Sequence, residues 1–290
     1  MKRLATHGSL HLGRCLVPAV PLVLAVIAIS GAAAPEPGIP ETPAPTILRV
    51  AQWNIGHFSL GRRNRSTIVP DASDARAAEY RAKIDALGVD FLGVSEFDPV
   101  FDTAGTPSEE AVFAGFPSHV VGPKNSYQCN AVFSRFPCIR SEIVDFDQRG
   151  QQTYFVDAVY EIAGKEVHVV QTHLDWNASE KATDARPTQI RQLIRHFRDM
   201  PYVILCGDFN VCGAGEYFTF LQAGWKLANC GPEAGCLDTH VSDDRRMPCR
   251  RFPLDNVIVR GFRVKDVALD DVDFALSDHR ILVATLEMKP

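Results

Sequence analysis

Short apolar runs of strand length recur along this chain, and most of them stop at a polar residue. Ile47–Asn54, Phe91–Ser95, Asn130–Ser134, Ile139–Phe146, Tyr154–Ile162, Val167–Thr172, Tyr202–Gly207, Leu254–Val259 and Ile281–Leu286 are rich in the β-branched, aliphatic and aromatic residues that fit a pleated surface. Ala163-Gly164-Lys165 makes a tight connection between two of them. Between the strands, Asp74–Leu87 reads as a helix with Ala78, Ile84 and Leu87 on one side. A second helix starts at Pro187 and runs to about Phe197, and Glu216–Ala223 is a short third. Many short strands with a few helices predict an α/β chain of two packed sheets with helices outside them.

The segment before Ile47 differs in character. Lys2, Arg3 and Arg14 precede an apolar stretch from Leu16 to Ile29, and small residues follow from Ser30 to Ala34, the order found in secretory signals. A signal peptide over residues 1–34 is expected, cleaved between about Ser30 and Ala34 because Pro35 disfavours a cut directly before it. An uncleaved membrane anchor is the other reading, but Pro18 and Pro21 interrupt the run and it is short for a span. Residues 35–46 carry five prolines and read as an extended linker, which leaves residues 47–290 as one domain. The expected location is secreted or periplasmic, with a membrane contact only through a retained leader; no obligate protein partner is implied.

The leader carries three cations and no acid, so its loss takes the net charge from −5 to −8. So acidic a body is not a general binder of polyanions, although a local basic rim would serve a nucleic-acid enzyme. Eight cysteines become seven when Cys15 is lost, so at least one thiol has no partner within the chain. Cys206, inside the apolar run Tyr202–Cys206, is the candidate. Cys129, Cys138, Cys212, Cys230, Cys236 and Cys249 can form disulfides in an export compartment. No Cys-x-x-Cys occurs, which argues against a structural zinc site.

The residues where the strands stop carry the functional signal. Asn54 ends the first run, Glu96 follows Val94-Ser95, and His173 follows Gln171-Thr172. Asp208 and Asn210 follow Cys206-Gly207, Asp255 sits in Leu254-Asp255-Asn256-Val257, and Asp278 and His279 follow Leu276-Ser277. Strands opening toward one edge of a sandwich would bring all eight side chains to one cleft. Singly, each has a plain structural reading: asparagines in turns, Glu96 as a solvated strand end, Asp278 as a helix cap, a histidine as an ordinary core or surface residue.

Their order says more. Asn, Glu, Thr-His, Gly-Asp-Phe-Asn, Asp-Asn-Val-Ile and Ser-Asp-His in succession resemble the endonuclease/exonuclease/phosphatase family, which includes the pancreatic-type DNases. The resemblance runs from Asn54 to His279; Gly207-Asp208-Phe209-Asn210 and Ser277-Asp278-His279 are its most specific pieces. Arg186 and Gln189 also look like the family's helix before the Gly-Asp-Phe-Asn strand.

This resemblance implies a four-layer α/β/β/α sandwich, two mainly antiparallel sheets flanked by helices, and hydrolysis of a phosphate ester with Mg²⁺ or Mn²⁺. On that pattern Glu96 is the metal ligand, supported by Asn54 and, across the site, Asp278, oxygen donors suited to a hard cation. Asp208 would orient or deprotonate the attacking water, and Asn210 would donate to a non-bridging oxygen. His173 and His279 would hydrogen-bond the phosphate, with Asp255 pairing one imidazole, most naturally that of His279. No Gly-x-Ser-x-Gly elbow, His-Glu-x-x-His helix or Walker loop offers another chemistry.

The substrate is less constrained. Arg62, Arg63 and Arg65, and Arg245, Arg246, Arg250 and Arg251, could track a nucleic-acid backbone or be solvated loop charges, the second group partly offset by Asp243 and Asp244. Cys212 and Cys249 occupy surroundings where pancreatic-type DNases carry a disulfide, and Ser126-Tyr127 also resembles them. Those enzymes, however, place an acid near position 129 or 130 to orient the first histidine. Here stand Cys129 and Asn130, and Asn130-Ala131-Val132-Phe133-Ser134 looks like the wider family, which makes Asn130 a candidate substrate contact. A phosphodiester substrate is expected, nucleic acid first and a phospholipid second, as for a sphingomyelinase or phospholipase C on the same fold. Trp176, Phe97, Phe101, Phe113 and Phe116 are candidates for a membrane-contacting surface, or else for core and cleft wall. A secreted binding protein without catalysis is a further alternative, disfavoured by the complete polar set. Asn64-Arg65-Ser66 and Asn177-Ala178-Ser179 fit the glycosylation pattern.

Overall fold

Each of two six-stranded sheets carries one parallel pairing, at its centre, and is otherwise antiparallel. The structure, a computed structural model, describes residues 45–58, 74–97, 112–123, 129–147, 152–176, 185–211, 214–240 and 253–290. These fall in one unit, Ala44–Pro290. The leader and most of the linker, both arginine clusters including Arg250 and Arg251, Cys212, Cys249, Phe101, Ser126-Tyr127 and both glycosylation motifs beginning at Asn64 and Asn177 lie outside the described residues.

In chain order the strands are β1 (Ile47–Asn54), β2 (Phe91–Ser95), β3 (Ser118–Val121), β4 (Ala131–Ser134), β5 (Cys138–Asp145) and β6 (Tyr154–Ile162). They continue as β7 (Lys165–His173), β8 (Val203–Asp208), β9 (Lys226–Leu227), β10 (Asp255–Arg260), β11 (Phe262–Asp270) and β12 (Ile281–Met288). The α-helices whose bounds lie among the described residues are α1 (Asp74–Leu87), α2 (Ala185–His196) and α3 (Ala214–Gln222). One sheet runs β11-β12-β1-β2-β4-β3 and the other β5-β6-β7-β8-β10-β9.

The two-residue period of the strands divides their side chains between an inter-sheet layer and a helix-facing layer. On β1, Leu48 and Val50 enter the cluster between the sheets, whereas Ala51 and Trp53 join Tyr80, Ile84 and Leu87 of α1. On β8, Ile204 and Cys206 face the first sheet, while Val203 and Leu205 pack with Ile190 and Leu193 of α2 and Tyr217 and Phe220 of α3. Three apolar interfaces thus separate four layers, the α/β/β/α arrangement expected from the resemblance. Each large side chain removed from water here contributes roughly 1.5–3 kcal/mol.

The sheets approach closely at Gly93 on β2. A Cβ there would lie 2.1 Å from Gln171 Oε1 and 2.7 Å from Cys206 Cβ, so any larger residue pushes the layers apart.

Three strands escape the sequence pattern. β3 and β9 are very short, and β11 mixes Arg263, Lys265, Asp266 and Asp270 into an edge strand exposed on one side, where charge keeps other chains from pairing. On α1 the buried stripe is Ala77, Tyr80, Ile84 and Leu87, so Ala78 faces outward rather than inward. The second helix begins at Ala185, which leaves Pro187 in the first turn, where its missing N–H breaks no intrahelical bond.

The cysteines also differ from expectation. Cys230 and Cys236 are bonded, but Cys129 and Cys138, like Cys206, remain thiols. Cys129 Sγ donates to Gly122 O at 3.3 Å and Cys138 Sγ to Arg140 O at 3.1 Å. Phe97, Phe113 and Phe116 pack around Phe133 in the core beside α1, and of the candidates among the described residues only Trp176, 57% exposed, keeps the surface position that a membrane contact needs.

Candidate active site

Parallel neighbours carry their C-terminal ends to the same edge of a sheet, and both central pairs do so here. Asn54 of β1 lies in register with Ser95 of β2, directly before Glu96, and His173 of β7 with Asp208 of β8. Asp255, which opens antiparallel β10, stands in register with Asp208. On each strand the inter-sheet face changes from apolar to polar toward this edge: Leu48 and Val50 give way to Gln52 and Asn54, Val167 and Val169 to Gln171 and His173, Ile204 and Cys206 to Asp208. One end of the inter-sheet layer is therefore a buried polar cluster.

Asp208 is its hub. Its Oδ2 accepts Asn54 Nδ2 at 3.0 Å and lies 3.6 Å from His173 Nε2 and 3.8 Å from His279 Nε2; its Oδ1 accepts Asn210 N at 2.9 Å. Burial alone would raise this carboxyl's pKa, but the His173 and His279 imidazoles, the Asn54 amide and the Asn210 N–H hold it below its ordinary value, so Asp208 stays ionised. His279 Nδ1–H donates to Asp255 Oδ2 at 2.6 Å. Burial opposes its protonation, but Asp255, with Asp208 and Asp278 adding, raises its pKa to about 10. The expected pairing of Asp255 with His279 is thus the geometry observed.

The surrounding loops lock these groups. Ser277 Oγ donates to Asn54 O at 2.6 Å and accepts His279 N at 2.9 Å, and Trp53 Nε1 donates to His279 O at 3.3 Å. Asn210, at φ 51°, donates its amide to Leu174 O at 2.9 Å. Asn130 is wholly buried beside β2, and neither its amide nitrogen nor its amide oxygen has a hydrogen-bond partner among the described residues, an arrangement that costs about 1–3 kcal/mol unless a bound group completes it.

Not every predicted site residue joins one constellation. Among the described residues, acid and imidazole ligand atoms within 4.8 Å of one another form two groups, Asp208–Asp255–His279 and His240–Asp278–His279. Glu96 belongs to neither and stands beside His57, with Nε2 and Oε2 3.3 Å apart. Trp176 is an exposed neighbour of this edge, three residues beyond His173. The donor chemistry suits a divalent cation: Glu96 and Asp278 offer carboxylate oxygens, and the Asn54 oxygen, which accepts Gly56 N at 3.1 Å, keeps a second lone pair.

Three contributors had no signal as strand-ending polar residues. Gln52 lies one pleat before Asn54; its Nε2 donates to Asp255 Oδ1 at 3.1 Å and to Ser95 Oγ at 3.3 Å. His57 lies in the turn Gly56–Phe58 that follows β1. His240 bridges His279, their ring centres 4.7 Å apart, and its Nε2 is 3.6 Å from Asp278 Oδ2. The one available cue was proximity to a motif residue, three positions after Asn54 for His57.

Comparison with known proteins agrees with this architecture. D. rerio TDP2 complexed with single-strand DNA product superposes with TM-score 0.63 at 18% identity, covering 83% of this chain and 99% of that one. The human Nocturnin catalytic domain with bound sulfate gives 0.60 at 17% identity, covering 84% and 98%. Sphingomyelinase C from Streptomyces griseocarneus gives 0.57 at 23% identity, covering 83% and 99%. No curated protein sequence matches the chain. The sequence profile of the endonuclease/exonuclease/phosphatase family matches residues 51–279, and the chain belongs to that family.

Proposed function

We propose that the protein is an exported, divalent-cation-dependent phosphodiesterase acting first of all on nucleic acid. The observation that carries this reading is an ionised, buried Asp208 lying 3.6 and 3.8 Å from two imidazole nitrogens, one of them held by Asp255. Such a set binds a water on the carboxylate while presenting N–H donors to a phosphoryl group.

Asp208 orients the water and accepts its proton as the oxygen attacks phosphorus. Its depressed pKa keeps it ionised at rest, so that it can take the water's hydrogen bond and then its proton only as the attack develops. The second amide hydrogen of Asn210 donates to a non-bridging oxygen, and the partnerless amide of Asn130 offers another donor. His279 Nε2–H donates toward the departing oxygen, and Asp255 holds that imidazole oriented and protonated. His173 supports the phosphate from the neighbouring strand. A divalent cation held by Glu96, Asn54 and Asp278 would neutralise charge on the phosphoryl oxygens.

Export is supported by the leader-like residues 1–34 and by the Cys230–Cys236 disulfide, a bond suited to an oxidising compartment. Nucleic acid is supported by the arginine clusters of the sequence and by the DNA product held by the structurally similar TDP2. A phospholipid is the second reading: Trp176 and Phe274, each 57% exposed, flank the segments of His173 and Asp278 and could meet a lipid surface. The test is hydrolysis of plasmid DNA, sphingomyelin and bis-p-nitrophenyl phosphate with Mg²⁺ or Mn²⁺, with and without EDTA. DNA cleavage supports the first reading and sphingomyelin cleavage the second. Absence of cation-dependent turnover of all three would refute both and favour a binding protein.

A further inference from the structure

The two histidines outside the motif stand against the two carboxylates assigned to the cation. His57 Nε2 is 3.3 Å from Glu96 Oε2, and His240 Nε2 is 3.6 Å from Asp278 Oδ2. Both imidazoles are largely shielded, with side-chain exposures of 10% and 12%. Donors bound about 2.1 Å from one cation stand roughly 3.0–3.5 Å apart at octahedral to tetrahedral angles. The first separation falls on that edge and the second just beyond it.

Both positions are built rather than incidental. His57 and Phe58 hold φ values of 56° and 54°, and Glu96 holds 52°, a region that non-glycine residues occupy at a cost of about 1–3 kcal/mol. His57 N donates to Glu96 O at 2.9 Å, and the Phe58 ring meets Tyr80 and Phe97 edge-on at 4.9 and 5.8 Å, so the turn is fixed from both sides. His240 follows a segment clipped to β10: Asp255 N donates to Thr239 Oγ1 at 3.0 Å, and Asn229 Nδ2 donates to Asp255 O at 3.0 Å.

We propose that the cation positions at Glu96 and Asp278 each take an imidazole nitrogen, from His57 and His240, so that the resident ion is a first-row transition ion such as Mn²⁺ rather than Mg²⁺. The inference rests on the phosphodiesterase reading only for assigning those carboxylates to a cation. Mg²⁺ keeps its waters and takes oxygen ligands, whereas imidazole favours the transition ions. A mixed nitrogen and oxygen set therefore selects against the more abundant ion by ligand chemistry.

Calorimetric titration of the purified protein with MnCl₂ and MgCl₂, together with electron spin-echo modulation of the Mn²⁺-loaded protein, tests this. The expected result is a nitrogen directly bonded to Mn²⁺, whose modulation changes when histidine is isotopically labelled. Mn²⁺ should bind at least about tenfold more tightly than Mg²⁺. His57→Asn, which tolerates the left-handed turn, and His240→Asn should each weaken Mn²⁺ binding by roughly tenfold or more and Mg²⁺ binding by about twofold or less. Absence of histidine nitrogen coupling in the wild-type protein overturns the proposal without any variant. Turnover of bis-p-nitrophenyl phosphate without such coupling refutes this inference alone. Coupling without turnover of any phosphodiester supports it and refutes the phosphodiesterase reading.

Discussion

Asp255 and His279 meet at 2.6 Å between Oδ2 and Nδ1, with the carboxylate wholly buried and its other oxygen held by Gln52 at 3.1 Å. This contact joins β10 to the loop before β12 across the two sheets, and so couples the His279 imidazole to the packing of the whole inter-sheet layer.

Asp255→Asn preserves shape but removes the negative charge that holds the His279 imidazole oriented and protonated. Turnover of bis-p-nitrophenyl phosphate should fall on the order of a hundredfold to a thousandfold, with little change in KM. Wild-type kcat in this variant would remove Asp255 from the machinery.

Gln52→Leu leaves Asp255 Oδ1 without its side-chain donor in a site closed to solvent. The loss should cost about 1–3 kcal/mol, which for a domain of this size lowers Tm by roughly 2–4 °C per kcal/mol. A calorimetric scan reads that directly, and a steady-state assay should show kcat reduced at the same time.

Removal of divalent cations with EDTA should abolish hydrolysis, and added Mn²⁺ should restore it. Glu96→Gln keeps the side chain's size but loses its charge. It should need roughly tenfold or more additional cation for half-maximal rate, as a cation titration of activity would record. An unchanged titration curve would take Glu96 out of the cation site.

The Cys230–Cys236 disulfide closes a loop that Asn229 and Asn256 anchor to β10 through bonds of 2.8 to 3.0 Å, and the chain runs directly from it to Thr239 and His240. Replacing both cysteines by serine should lower stability by about 2 kcal/mol through loop entropy and weaken activity as His240 loosens. Thermal melts with and without reductant on wild type should reproduce the stability change.

Gly93→Ala drives a methyl group to within 2.1 Å of Gln171 Oε1 and 2.7 Å of Cys206 Cβ. Overpacking of this kind typically costs about 1–3 kcal/mol, and here it also displaces Gln171 from Ser95 Oγ, its partner at 2.8 Å. Reduced soluble yield together with a lowered denaturant midpoint is the expected result.

Much of the architecture was legible because the central strands are buried on both sides. α1, β2 and β6 have the bounds that composition and periodicity predict, since apolar runs such as Tyr154–Ile162 leave little choice. β11 was hidden because an edge strand need satisfy only one face, and its charges break the pattern. Asn54, His173, Asp208, Asp255 and His279 were readable from motif order, and their meeting follows from the parallel pairings at the sheet centres. Gln52, His57 and His240 were not, because what they do depends on which residue lies opposite them across layers, and that relation has no fixed spacing along the chain. The disulfide partners were equally hidden: seven cysteines in a row of letters carry no distances, and Cys129 and Cys138 found carbonyl acceptors instead.

The pleat that sorts Ile204 and Cys206 from Val203 and Leu205 also aims Asp208. A single inserted or deleted residue within β8 would turn that carboxylate half a revolution, out of the cleft and under the helices, while leaving every motif letter in the gene intact. Point substitutions can therefore accumulate over most of this surface, whereas length changes in the central strands cannot. Lineages that keep the hub aspartate while losing one residue upstream of it should encode inactive proteins, however familiar their sequences look.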